Sequence, residues 1–158
     1  FDLISYAVGA LTRDPAAAVY VDAGHSRWTS ADTMAARLNQ VGVQRARGFS
    51  LNTTNYYSTD EEIGYGEAIS GLTNGAHYVI DTSRNGAGPA PEHPLSWCNP
   101  AGRALGTPPT TDTAGAHADA YLWVKRVGES DGSCDHGDPA AGTFVSQFVI
   151  DLARNSGR

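Results

Sequence analysis

The sequence predicts an α/β fold with a parallel sheet. Two patterns carry that expectation. Short apolar runs alternate with stretches of helical spacing along the 158 residues, and such alternation packs as parallel strands covered by helices. Each apolar run is also followed at once by polar residues, as expected where strand ends share one ligand-facing edge.

The elements follow in order. Leu3, Ile4, Ala7, Val8 and Leu11 recur at helical spacing. That pattern already runs at Phe1 with no capping residue before it, so a helix cut near its start is expected, ending before Pro15. Residues 18–21 form a short apolar run with β-branched and aromatic members, a buried strand. Ser30 then caps a helix whose Met34, Leu38 and Val41 share one face, with Asp32 in its first turn. Residues 46–51 give a second strand. Ser58 with Glu61 forms a capping-box pattern before a helix lined by Tyr65, Ala68, Ile69 and Leu72 and stopped near Gly75. Residues 78–80 are a third strand and 120–124 a fourth, with Trp123 expected in the core. Between them runs a long Gly/Pro-rich loop, about 86–115, of a kind that is usually functional or disordered, and its Trp97, Cys98 and Arg103 favour function. A second loop, 128–142, precedes a last helix carrying Phe144, Val145, Phe148, Val149 and Leu152.

Composition excludes some partners. A net charge of −6 speaks against nucleic acid, because neutralising phosphates takes clustered Lys and Arg. No apolar run reaches membrane-spanning length. The two cysteines, Cys98 and Cys134, are too few for a disulfide scaffold and sit in no CxxC pattern, which leaves one optional disulfide. Abundant Gly, Ser, Thr and Asn with few Lys suits an extracellular enzyme. No signal peptide and no initiator Met are visible, so a processed or truncated start is expected.

The chemistry-bearing residues fall just after the strands. They are Asp22 and His25, then Asn52, Asn55 and Tyr56, then Asp81, Arg84 and Asn85, then Lys125, Glu129 and Asp131. Carboxylates beside Arg and Lys suit acid–base work, because the cations keep one carboxylate ionised. Tyr56 and Trp97 offer flat faces for sugar rings, and an amide such as Asn55 can bond sugar hydroxyls. A carbohydrate site is the reading that joins these. Asp22 and His25 lack a third metal ligand at suitable spacing. The run Asp131, Ser133, Asp135, Asp138 lacks the Gly and terminal Glu of a calcium loop. Gly86-Ala87-Gly88-Pro89 breaks the dinucleotide pattern. No metal and no cofactor is therefore expected. Asp81 is expected mainly to hold loop backbone.

Several segments taken in order resemble glycoside hydrolase family 6, the cellulase family. They are Val19 to Ser26, Arg47-Gly48-Phe49 through Asn55-Tyr56, Val79 to Gly86, Trp97 to Arg103, and Trp123 to Gly132. The resemblance implies a distorted (β/α) barrel, seven-stranded when complete. It implies inverting hydrolysis of β-1,4-glucosidic bonds in cellulose and cello-oligosaccharides, by a secreted enzyme that is a monomer when complete. Asp131 matches the family's proposed catalytic base, and Arg84 and Lys125 match the residues that pair with it. Asp22 matches a supporting catalytic aspartate. His25, Trp28, Asn55, Trp97, Lys125 and Glu129 match substrate-binding residues. Cys98 and Cys134 match a disulfide tying two cleft loops. Nothing among Asp22, Asp81 and Asp131 matches the catalytic acid, and a barrel of this class usually takes ~250 residues. Residues 1–158 are thus expected to be the C-terminal portion of a single catalytic domain, with the acid upstream. The stretch from Cys98 to Cys134 looks short for a roofing loop, which favours an endoglucanase over a cellobiohydrolase. A glucan-binding protein without catalysis is the alternative from another class.

Overall fold

The computed structural model describes residues 1–157. Its elements are α1 (Asp2–Leu11), β1 (Tyr20–Asp22), α2 (Ala31–Val41), a 3-10 turn (Val43–Arg45), β2 (Gly48–Leu51), α3 (Thr59–Leu72), β3 (His77–Asp81), β4 (Ala118–Leu122) and α4 (Ser146–Asn155). The strands form one parallel sheet in the order β1-β2-β3-β4. The α/β class and the element order agree with the sequence. Among the described residues, no helix is long and apolar enough to cross a membrane.

Local chemistry explains the helix ends. Ser30 Oγ accepts from Thr33 N–H at the start of α2, and Gly42, at φ 82°, closes its end in the left-handed region. Ser58 accepts from Glu61 N–H and donates to the Glu61 carboxylate at 3.0 Å, so α3 is capped as its sequence predicts. Its first turn also carries Asp60, Glu61 and Glu62 at the positive end of the helix.

The buried face of α3 differs from the expected one. Ala68 and Leu72 are exposed, and Glu62, Tyr65, Gly66, Ile69 and Ser70 face inward. Gly66 sets this rotation, because a Cβ there would run into the Tyr78 ring of β3. Tyr78 in turn stacks on Phe49 with ring centroids 5.6 Å apart. α1 is also more open than its spacing suggests: Val8 is buried, whereas Leu3, Tyr6 and Leu11 are exposed.

Two strands shift along the sequence. β1 begins at Tyr20, because the sheet register runs from Tyr20↔Gly48 to Asp22↔Ser50, and Ala18 is exposed. β4 ends at Leu122, where its pairing with Asp81 stops. Trp123 is therefore not core. It is half-buried, and its indole N–H donates to the Thr107 carbonyl at 2.9 Å.

A polar knot pins the N-terminal end of the sheet. Asp119 of β4 accepts from Tyr20 of β1 at 2.7 Å and from Arg47, just before β2, at 2.6 and 2.7 Å, and it meets His77 of β3 at 2.9 Å. The Arg47 bond is the main reason the Asp119 carboxyl is pulled down from 3.8 to about 2, against a smaller upward push from burial. A depressed carboxyl stabilises the fold above its unfolded value, and that stability is lost as pH falls through the folded value. Unfolding followed by circular dichroism is expected to show stability falling between about pH 4 and pH 2. Asp119→Asn should flatten that limb, and an unchanged limb would show that the knot does not act this way.

Candidate active site

At the C-terminal strand ends the structure brings together four of the residues that the sequence singles out, Asp131, Arg84, Lys125 and Tyr56. Asp131 is their centre, and its side chain is only 3% exposed. Its Oδ2 accepts from Arg84 Nη1 at 2.8 Å, from the Tyr56 hydroxyl at 3.1 Å and from the Asn99 backbone N–H at 3.2 Å. Its Oδ1 meets Lys125 Nζ at 3.1 Å. Burial pushes this carboxyl up, but the Arg84 bond and charge, the Asn99 N–H and the Lys125 charge together outweigh it. The net result lies below the ordinary carboxylate value.

The supporting residues explain how the centre is held. Asp81, at the end of β3, accepts from Ser83 N–H and from Lys125 N–H, both at 2.8 Å. It thereby links the chain after β3 to the chain after β4, the backbone role expected of it. Burial pushes its own carboxyl upward. Arg84 lies over the Tyr56 ring, 4.5 Å from the centroid. Tyr56 is 4% exposed, so its ring is no platform for a sugar. Its hydroxyl instead serves Asp131, which corrects the expectation for this residue.

No sequence pattern singles out Asn99, yet it holds the loop around Asp131. Its Oδ1 accepts from Asp131 N–H at 2.7 Å. Its Nδ2 lies 2.9 Å from both the Gly132 carbonyl and the Asp138 carboxylate, which matches the two protons an amide can donate. These partners lie more than thirty positions away in sequence, so no local pattern reveals them. The one clue is the neighbouring Cys98. Cys98 and Cys134 do form the disulfide, with Cα atoms 5.8 Å apart. It closes a loop of 36 residues, which by chain entropy stabilises the fold by about 4 kcal/mol. A Cys98→Ala, Cys134→Ala double variant is expected to lose about 2–4 kcal/mol in urea unfolding. A variant with an unchanged midpoint would show that Asn99 alone holds the loops.

The other predicted residues are spread along this edge. Trp97 is 45% exposed beside Cys98, as a stacking face requires. Glu129 pairs with Arg126 at 2.9 Å. Asp22 is exposed at the end of β1, and its Oδ1 accepts from Gly24 N–H at 3.3 Å. Among the described residues no hydrogen bond joins Asp22 to Asp131. Asn55 is half-buried, and its Nδ2 reaches the Thr53 carbonyl at 3.5 Å, the outer limit of a hydrogen bond. His25 and Trp28 sit on the loop between β1 and α2. His25 stacks on Tyr57 at 4.5 Å, and burial pushes its imidazole below the ordinary value, a push that the Asp22 charge opposes. Trp28 is 60% exposed, and it packs over Gly24, where a Cβ would overlap its ring.

Among the described residues, one group of metal-ligating type clusters: Cys134, His136 and Asp138, with candidate atoms within 4.8 Å of one another. The Cys134 sulfur is committed to Cys98, so the group cannot offer three ligands.

Comparison with known proteins agrees with this geometry. The sequence model of glycosyl hydrolases family 6 matches residues 1–156. Endoglucanase A of Cellulomonas fimi is 50% identical over 153 residues, covering 97% of this chain and 33% of that protein. Endoglucanase 1 of Streptomyces halstedii is 44% identical, covering 85% of this chain and 40% of that protein. The solved structure of the endoglucanase Cel6 from Mycobacterium tuberculosis, in complex with methyl-cellobiosyl-4-deoxy-4-thio-β-D-cellobioside, superposes with a TM-score of 0.99 at 79% identity. That match covers 99% of this chain and 54% of the solved one. The chain thus spans well under two thirds of each of these relatives. A carboxylate locked between Arg84 and Lys125 at the ends of parallel strands, on a sequence matched almost end to end, places the chain in glycosyl hydrolases family 6.

Proposed function

We propose that these residues supply the base end of an inverting β-1,4-glucan hydrolase, an endoglucanase acting on cellulose and cello-oligosaccharides. The observation that carries the reading is the Asp131 carboxylate, kept ionised by Arg84 and Lys125. Inversion needs a base that activates water on the sugar face opposite the acid. Oδ2 is occupied by three donors, whereas Oδ1 has Lys125 alone among the described residues, so Oδ1 is the oxygen that takes the proton. Because the side chain is nearly buried, that proton arrives from a water entering beside Lys125.

Trp97 and Asn55 grip sugar rings next to the base, with Lys125 and Glu129 at the bond to be cleaved. His25 and Trp28 form a further subsite. Asp22 supports the cleft. The acid comes from outside residues 1–158, so the chain acts as the C-terminal portion of one catalytic domain. The 36-residue span between the bonded cysteines is short for a roof over the cleft, and the relatives named above are endoglucanases. Both support internal cleavage. An insoluble polymer as substrate, together with these endoglucanase relatives, supports a secreted enzyme.

The test uses a full-length catalytic domain that carries this sequence. Proton NMR of fresh cellotetraose hydrolysis should show α-anomeric products first. β-Anomers first would refute inversion. Burial of Asp131 favours one second reading, a glucan-binding protein whose Asp131 only braces the cleft. Tight cellotetraose binding without any turnover would support that alternative.

A further inference from the structure

A carboxylic acid outside the base centre has no role so far. Glu62, in the first turn of α3, is fully buried. Its Oε1 accepts twice from Ser26, from the backbone N–H at 3.0 Å and from the hydroxyl at 2.7 Å. Among the described residues its Oε2 is buried with no partner, as is the hydroxyl of Tyr65 one turn on. Burial pushes the Glu62 carboxyl up to about 7, against the pull of the two Ser26 bonds. The charges and titratable groups around it are Arg27 on the loop, Glu61 and Tyr65 on α3, and Tyr57 after β2. A buried acid this far from its ordinary value is costly to keep unless a geometry depends on it.

That geometry is the loop from Asp22 to Thr29. Ser26 sits at its middle, directly after His25 and two positions before Trp28. The loop makes a second contact with α3 at the surface, where Arg27 bonds Glu61 at 2.7 and 3.0 Å. Arg27 also lies 5.1 Å from the centre of the Tyr57 ring, the ring on which His25 stacks. The exposed Arg27 pair is weak in water. The two Ser26 bonds end on a carboxyl that is fully buried, and they fix the loop's depth.

We propose that Glu62 is a positioning residue for sugar binding: through Ser26 it sets where His25 and Trp28 stand on the cleft edge. This rests on reading the loop as a sugar subsite. The test compares Glu62→Ala, Glu62→Gln and Ser26→Ala in a full-length catalytic domain carrying this sequence, with kcat and KM measured on cellotetraose. Gln keeps the acceptor for both Ser26 donors. Glu62→Ala is expected to raise KM about tenfold with kcat within about twofold, and Glu62→Gln to restore KM to within about threefold of wild type. Ser26→Ala removes one bond without emptying the buried site, so it should raise KM by a smaller factor even if Glu62→Ala folds poorly. Variants with an unchanged KM and less active protein would show a purely structural carboxyl. Gln as impaired as Ala would show that the acceptor is not what matters. Either result overturns the proposal, whereas a wild-type protein with neither binding nor turnover would overturn the function reading instead.

Discussion

Replacing Asp131 with Ala, in a full-length catalytic domain, is expected to lower kcat about 10²–10⁴-fold on a soluble cellulose derivative. The argument starts from its partners. Arg84, Tyr56, Asn99 and Lys125 all point donors at one nearly buried carboxylate. Such an array keeps the group ionised and fixes its direction, which general-base work requires. Of the residues proposed to grip sugar, Trp97, Asn55, Glu129, His25 and Trp28 do not bond Asp131, and only Lys125 meets it. KM should therefore move little. A variant that kept its kcat would remove Asp131 from the chemistry, and one that lost cellotetraose binding in step with kcat would point to a collapsed cleft.

Arg84→Ala should be nearly as damaging, for two separable reasons. The first is stability. Arg84 and Asp131 have side chains 5% and 3% exposed, and breaking one half of a buried pair leaves an uncompensated charge. Losses in such cases run to about 3–5 kcal/mol. Asn99 and Lys125 still hold Asp131, so the lower end is expected. The second reason is protonation. Arg84 is the largest of the influences holding the Asp131 carboxyl down, and burial is what pushes it up. Without Arg84 the carboxyl must rise, so protonation spreads to higher pH. The sign follows: a depressed acid loses function as pH falls through its value, and a raised one loses it sooner. The acid limb of the kcat/KM profile should move to higher pH in Arg84→Ala. A profile that moved down, or a variant as stable as wild type, would contradict the pairing as described.

How much of this was legible in the sequence depended on whether a signal was local. The capping pairs Ser30–Thr33 and Ser58–Glu61 lie within one turn, so the starts of α2 and α3 could be located from the letters. The C-terminal strand edge was equally plain, because polar residues follow each apolar run. The rotation of α3 was not, since it depends on Tyr78 packing over Gly66 from another element. The end of β4 was not, because it is set by pairing to Asp81 rather than by the apolar run that continues through Val124. At the site, the family match points to Asp131, Arg84 and Lys125, and the structure puts the charged atoms of Arg84 and Lys125 2.8 and 3.1 Å from the Asp131 carboxylate. Tyr56 was named for the wrong part of its side chain. Asn99 and Glu62 were missed because amides and buried acids act through distant partners, Gly132 and Asp138 in one case and Ser26 in the other.

The most direct test of the base assignment is chemical rescue. Asp131→Ala should lose hydrolysis of cellotetraose, because the attacking water has no proton acceptor. Azide needs none, and it can occupy the space of the missing carboxylate and its water. Added azide should restore cleavage and yield the α-glycosyl azide, the product of attack on the face opposite the leaving group. Undiminished hydrolysis by Asp131→Ala without azide, or a β-glycosyl azide in its presence, would contradict Asp131 as the base of an inverting reaction.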